Sequence, residues 1–545
     1  MGSNKTKTTA LALLMFIAIG ALKAQTKYWV KFKDKNGSPY SVSNPSAFLT
    51  AKSIARRTAQ GIAVDMTDIP VNQTYIDQVN ATGATVIQSS KWLNAAIVVI
   101  TNTGQITAIN SLTGVATSTA VGKLHKSKSD ELTSVKSNAN KINNTTGYNY
   151  GGSSTQNSQI GTDCMHANGF RGQNMTIGVL DAGFLNAGTN AVFDSLRNEG
   201  RLLATRDIVI GNTSVFEDDP HGAEVLSLIV GNTPGQLIGT SPKAKVYLIR
   251  TEDNFSEKPI EECNWVVGAE YADSVGVDIM TTSLGYTSFD NPFGAHAASD
   301  LNGRTSPMSI AATMAVRKGI FVLNAAGNDG ANGIGVPADA DSICTVGAVD
   351  GGGNHAGFSS VGPTFDGRIK PDLSAMGQGS YIYDPNSGSY HGGSGTSFAT
   401  PILAGAVACL WQANPTKTNM QILQALKATA SQSTTPDNSY GWGIPNMCSA
   451  HNYLNGTVLT VVEELKNGSI KLFPNPTHGQ VSFELDHKPL NITITDILGK
   501  VMECTLVENA NNKYTLNLNG SAANGVYFVA IKTNSGLVNS KFVKE

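Results

Sequence analysis

The chain has 545 residues, with 39 Lys and Arg against 41 Asp and Glu for a formal net charge of -2. At about 150 residues per domain it holds several units, and it lacks the basic excess expected of a nucleic-acid-binding protein. Charged residues make up 15% and hydrophobic ones 41%, with 56 glycines, which excludes charge-driven disorder and describes a loop-rich globular chain.

Residues 1–24 carry Lys5 and Lys7, an apolar run over 10–22, and Ala24 before Gln25. That order predicts a secretory signal peptide, because a run of about 13 apolar residues is too short for a bilayer span of roughly 20. No later run is long enough, so no stable membrane span is expected. Residues 26–121 read as a small α+β domain, with strands at 28–32, 83–87 and 95–100, a helix at 47–59, and a closing helix and strand reaching Val115. Residues 122–150 begin with a Lys-rich stretch, continue rich in Asn, Ser and Thr, and predict an exposed linker holding a processing site.

From 151 to 455 apolar strands at 175–180, 244–249, 277–281, 320–324 and 343–349 alternate with helices such as 259–274 and 309–318. This predicts an α/β fold with a mainly parallel sheet covered by helices on both faces, and ligands at the carboxyl ends of its strands. A second linker is expected at 456–466. Over 467–545 the apolar residues repeat with period two, as in Val481/Phe483/Leu485 and Tyr514/Leu516/Leu518, which predicts a small all-β sandwich. Six cysteines lack C-x-x-C spacing, which argues against a metal site. Cys344 and Cys409 lie in apolar runs where free buried thiols fit as well as disulfides, so no pairing follows.

Three segments carry possible chemistry. One strand ends in Leu180-Asp181-Ala182-Gly183, placing a carboxylate at a carboxyl edge, where an Asp also commonly caps a turn. His221-Gly222-Ala223-Glu224-Val225 opens an apolar helix, a position where a lone histidine is usually structural. Gly395-Thr396-Ser397-Phe398-Ala399-Thr400-Pro401 leads glycines into a long apolar helix with Ser397 in its first turn, where N–H groups and a positive helix end favour a developing anion. A plain N-cap would account for the serine but not for the glycines before it.

The order Asp181, His221, Ser397 and the three motifs together resemble the subtilisin-like serine proteases, the subtilases. Phe321-Val322-Leu323-Asn324-Ala325-Ala326-Gly327-Asn328 resembles the family's oxyanion strand, which implies Asn328 as a side-chain donor, with Asn324 too early in the motif. Ser283-Leu284-Gly285 resembles the strand that pairs with substrate. By the same resemblance Ala326, Gly327 and Gly335 belong to the substrate pocket, whose small uncharged residues imply a bulky apolar or aromatic side chain before the cleaved bond. The resemblance covers about 151–453 and implies hydrolysis of polypeptide substrates through an acyl-enzyme on Ser397.

This chain departs from the family pattern in two places. Ala182 stands where the family has Ser or Thr, which removes a donor to the Asp181 carboxylate. Ala223 replaces a Thr, and Glu224 adds an acid close to His221 that would shift activity to higher pH if it is not simply solvated. The α+β unit at 26–121 resembles a subtilase propeptide by position, which implies a zymogen cut autocatalytically in 122–150. The tail Lys471-Leu472-Phe473-Pro474-Asn475-Pro476, with Gly525-Val526-Tyr527 and the basic end, resembles a type A sorting domain of the type IX secretion system. That implies the type IX machinery as partner, and export through the periplasm and outer membrane to the surface or medium. No cofactor is required by this chemistry; structural calcium is common in the family, but no loop here locates a site. The rival readings are a catalytically impaired relative acting as a surface binding protein, motivated by Ala182 and Ala223, and an α/β-hydrolase esterase, which the triad order and the missing G-x-S-x-G oppose.

Overall fold

The computed structural model describes residues 25–123, 148–456, 470–485, 488–496, 501–509, 512–519, 522–533 and 536–545. The expected signal peptide, residues 124–147 of the processing linker and 457–466 of the second linker lie outside the described residues. The chain divides into two compact units, 1–457 and 458–545.

In the N-terminal domain β1 (Thr26–Phe32), β2 (Thr85–Ser90), β3 (Ala95–Ile100) and β4 (Val115–Lys123) form an antiparallel sheet in the order β2-β3-β1-β4. Helices α1 (Ala51–Ala59), α2 (Gln73–Ala81) and α3 (Thr103–Asn110) are each opened by a side-chain cap: Thr50, Asn72, and an Asn102/Gln105 capping box. These caps satisfy first-turn N–H groups that have no partner within the helix. The helix expected at 47–59 starts only at Ala51, because Thr50 caps it and a short 3-10 turn over Pro45–Ala47 precedes it. The strand expected to end at Val115 begins there instead, its Ala-Thr-Ser-Thr-Ala course giving little apolar alternation to read.

Every residue of β3 is buried, and the period-two alternation explains why. Ala96, Val98 and Ile100 join Val30 and Ile109 in the domain's own core, whereas Ala95 and Ile97 join Trp29, Trp92 and Val121 in a cluster shared with the following domain.

Residues 148–456 form a seven-stranded parallel sheet. Helices α4 (Ser154–Gln159), α5 (Thr162–Ala167) and α6 (Asp194–Asn198) accompany β5 (Thr176–Asp181) and β6 (Leu202–Asp207); then follow α7 (His221–Val230), β7 (Lys245–Arg250), α8 (Ile260–Val275), β8 (Ile279–Thr282), α9 (Pro307–Arg317), β9 (Phe321–Ala325), β10 (Cys344–Val349) and β11 (Leu373–Met376). The order is β11-β10-β9-β8-β5-β7-β6. A hairpin of β12 (Gln378–Tyr383) and β13 (Tyr390–Ser394) leads into α10 (Thr396–Ala413), α11 (Asn419–Ala428) and α12 (Met447–Leu454). Alternate strand residues feed two cores: Ile177, Val179, Phe321 and Leu323 pack with α7 and α10, whereas Leu180, Met280 and Val322 pack with α8 and α9. α10 is long and apolar enough to cross a membrane, yet 83% of it is buried, as befits the central helix of this core. Cys164 of α5 and Cys448 of α12 form a disulfide, and Cys263, Cys344 and Cys409 are free and buried.

The N-terminal domain docks on α8 through buried charge. Asp273 accepts from Arg56 Nη2 at 2.5 Å, Arg57 Nη2 at 3.0 Å and Lys91 Nζ at 3.2 Å. Beside it the Glu270 carboxylate accepts from Ser90 Oγ at 2.5 Å, Lys91 N at 2.7 Å and Trp92 N at 3.0 Å.

In the C-terminal unit β14 (Gln480–Glu484), β15 (Asn491–Asp496), β16 (Val501–Met502), β17 (Cys504–Glu508), β18 (Lys513–Leu518), β19 (Gly525–Thr533) and β20 (Gly536–Lys544) form two sheets, ordered β14-β18-β17 and β16-β15-β19-β20. Val481, Phe483, Ile494, Leu516, Val529 and Phe542 from both sheets make one core, as the period-two reading requires.

Candidate active site

Asp181 is the last residue of β5 and fully buried. Its Oδ1 accepts from Ala182 N at 2.8 Å and from His221 Nδ1 at 2.8 Å. Its Oδ2 is buried without a hydrogen-bond partner among the described residues, as expected where Ala182 replaces a hydroxyl residue. His221 opens α7, and its N–H donates to Asp219 Oδ1 at 2.7 Å, while Asn254 Nδ2 holds the other Asp219 oxygen at 2.7 Å. Gly222 allows this approach, since a Cβ there would stand 2.1 Å from Gly183 O and 2.9 Å from Asp181 Cβ.

The His221 side chain keeps 30% exposure, so part of the ring remains open to solvent. Burial favours the neutral ring, but Asp181, by charge and hydrogen bond, with Asp219 and Glu224 behind it, outweighs burial and lifts the pKa to about 9. Glu224 is part-buried rather than fully solvated, and burial pushes its own carboxyl up.

Ser397 is the second residue of α10. Pro401 has no N–H to donate to the carbonyl four residues earlier, which is that of Ser397. The freed carbonyl accepts from Ser283 Oγ at 2.9 Å, and Ser397 Oγ donates to Ser283 O at 3.3 Å. Among the described residues no hydrogen bond joins Ser397 to His221; the imidazole lies 6.2 Å from the ring of Phe398, the next residue.

Asn328 is aimed by Thr396. Its Oδ1 accepts from Thr396 N at 2.9 Å and Thr396 Oγ1 at 3.0 Å, which leaves Nδ2 free to donate elsewhere. A Cβ on Gly395 would lie 3.7 Å from both Asn328 Nδ2 and Ser397 N, so the two nitrogens flank this glycine. Asn324, by contrast, is fully buried and donates to Leu284 O and Ala325 O.

Ser283, Leu284 and Gly285 continue from the carboxyl end of β8, becoming more exposed along the run. Tyr286 then exchanges backbone hydrogen bonds with Val336 at 2.8 and 3.0 Å. Gly335 sits under this bridge, where a Cβ would meet Tyr286 O at 2.8 Å. Ala326 packs with Ile334 and Ala338 in a small apolar cluster, and Gly327 runs at φ +108, which disfavours side chains. The structure thus gathers Asp181 with His221, and Ser397 with Asn328, Ser283 and Gly395, at the carboxyl edge of the sheet. Thr396 and Asp219 hold the others in place and carry no role in the sequence reading; Thr396 sits within the serine motif, one residue before Ser397, and Asp219 lies two residues before His221.

The Subtilase family of peptidases, S8, matches residues 172–443. Subtilisin NAT of Bacillus subtilis subsp. natto is 31% identical over 303 residues, which span 54% of this chain and 70% of the relative. The chain belongs to the subtilase family. Subtilisin of Bacillus pumilus is 30% identical over 301 residues, 54% of this chain and 96% of that one. A solved prenylagaramide maturation protease covers 54% of this chain and 99% of its own, with 22% identity and a TM-score of 0.43. The Bacteroidota propeptide domain of peptidase S8 matches residues 27–139, and the secretion system C-terminal sorting domain matches 471–545. This subtilase is therefore a serine endopeptidase made with a propeptide and addressed by its tail for type IX export to the cell surface or medium.

Proposed function

We propose that the protein, secreted as a zymogen, cuts polypeptides, once processed, through an Asp181-His221-Ser397 triad with an oxyanion site of Asn328 Nδ2 and Ser397 N–H. Ser397 Oγ attacks the peptide carbonyl as His221 takes its proton; His221 then returns that proton to the leaving amine, and water repeats the cycle on the acyl-enzyme. Asp181 fixes the imidazole tautomer and stabilises its charged form. Asn328 and the Ser397 N–H face the negative oxygen of the tetrahedral intermediate; loss of such a donor costs about 10² to 10³ in rate, a magnitude known from subtilisin itself. Each step is assigned to a side chain or backbone group, and none draws on a cofactor.

The observation that carries this reading is the 2.8 Å bond from His221 Nδ1 to buried Asp181 at the same sheet edge as Ser397. The small residues of Ser283–Gly285 and Ala325–Asn328, with Gly335, support a bulky apolar or aromatic side chain before the cleaved bond. Exposure of the secreted protein to a serine-directed phosphonate tests the reading: the label is expected on Ser397, with parallel loss of casein cleavage. Unlabelled protein that leaves casein intact would favour a surface binding protein instead.

A further inference from the structure

Beyond the strand that carries Asp181, the loop after β7 is built with more negative charge than it neutralises. Thr251 N donates to Asp181 O at 3.0 Å, which fixes this loop to the catalytic edge, and Glu252 is the next residue. Glu252 Oε2 is buried with no hydrogen-bond partner among the described residues. Burial, then Glu257, Asp181 and Asp219, lift its pKa to about 8, and His221 is the one opposing charge among these largest influences. Burial also pushes up the Glu257 and Glu261 carboxyls nearby, so the loop is acidic as a whole. Glu261 accepts from Asp253 N at 3.1 Å and Lys258 N at 2.9 Å, and Asp253, Glu261 and Lys258 all act on Lys27. Glu252 is left beside the catalytic pair with one oxygen buried and, among the described residues, no cation of its own, so a ligand that brings one would favour loss of its proton and pair with the charged form.

The propeptide arrives at this loop. Val121 of β4 is buried in one cluster with Ile260, and a Cβ on Gly122 would lie 3.2 Å from Ile260 Cγ2 and 3.6 Å from Lys258 Cδ. The chain thus reaches the loop with residues that precede any cut in 122–150. The residues that follow Gly122 in sequence are Lys123-Leu124-His125-Lys126-Ser127-Lys128, four of the six basic in type.

We infer that Glu252 is a specificity residue that takes the charged end of a Lys or Arg side chain on the amino-terminal side of the scissile bond, and that the chain's own Lys-rich segment is its first occupant. This rests on the endopeptidase reading. It concerns a position other than the apolar one immediately before the cleaved bond. A charge-assisted hydrogen bond inside a water-poor cleft gives the preference its strength.

The test uses the processed, secreted enzyme and peptides in which each of the four residues before the cleaved bond carries Lys, norleucine or Glu in turn. At one of the positions beyond the first, Lys is expected to exceed norleucine by about tenfold or more in kcat/KM. In Glu252→Gln that ratio collapses towards one, and in Glu252→Lys the Glu peptide overtakes the Lys peptide; phosphonate labelling of Ser397 reports that each variant is folded. Efficient cleavage with no Lys preference at any of these positions, or a preference that survives in Glu252→Gln, overturns the assignment of Glu252 alone. Failure to cut any peptide overturns the endopeptidase reading and this assignment with it.

Discussion

Ser283 and Ser397 hold each other at two points: the Ser283 hydroxyl donates to the Ser397 carbonyl at 2.9 Å, and the Ser397 hydroxyl donates to the Ser283 carbonyl at 3.3 Å. The first bond exists because Pro401 cannot supply the usual helical donor. The chain at the carboxyl end of β8 is thereby tied to the helix that carries Ser397. Ser283→Ala leaves that carbonyl without its donor and is expected to lower kcat by about 3- to 10-fold, the worth of one hydrogen bond. Steady-state kinetics on a single peptide check this, and a change confined to KM would contradict it.

The second oxygen of Asp181 has no hydrogen-bond partner among the described residues. Ala182→Ser restores a hydroxyl beside it and is expected to raise kcat/KM by about 2- to 10-fold through better orientation of the imidazole. Equal or lower activity in a variant of unchanged melting temperature would show that the orphaned oxygen does not limit catalysis.

The charge around His221 fixes the sign of the pH response. General-base catalysis needs the neutral ring, and a pKa raised to about 9 keeps it protonated at neutral pH. Activity should therefore climb with pH through the alkaline range, instead of levelling above the ordinary imidazole value of about 6.5. Glu224→Gln removes one of the negative charges that hold the proton, so the rising limb of kcat/KM against pH moves to lower pH. An unmoved limb, or one displaced upwards, would contradict the assignment.

Asp273 is the anchor of the propeptide. Removing it as Asp273→Ala leaves Arg56 and Lys91 buried without their carboxylate and Arg57 with Asp68 alone. Breaking a buried pair in this way costs about 3 to 5 kcal/mol, so the severed propeptide should leave at least about 100-fold faster. Size-exclusion chromatography after processing measures this directly, and release at the wild-type rate would show that the apolar contact of Trp29, Trp92 and Ile97 suffices.

Much of this organisation is written locally in the sequence. The strands around Val179 and Leu323 are wholly buried and the one around Leu248 mostly so, and all three read as largely apolar runs, while Asp181, His221 and Ser397 sit in short motifs at strand and helix ends. The edge strands β6 and β11 escaped notice because Leu202–Asp207 is half polar and Leu373–Met376 is only four residues long. The last strand, β20, was hidden by its basic end. What no local pattern can reveal is a partner distant in sequence: Arg57 meets Asp273 from 216 residues away, and Cys164 pairs with Cys448 across 284. Glu252 belongs to the same class, for its significance lies in Asp181, Asp219 and Glu257 around it and not in its own neighbours.

The central claim, that Ser397 is a working nucleophile on peptide bonds, is tested most directly by the intact mass and N-terminus of the exported chain, wild type beside Ser397→Ala. The account predicts that wild type loses a piece ending between Gly122 and Tyr150 and that the Ser397→Ala chain keeps it. Loss of the same piece from both would contradict autocatalysis, and retention by both would contradict a nucleophilic Ser397.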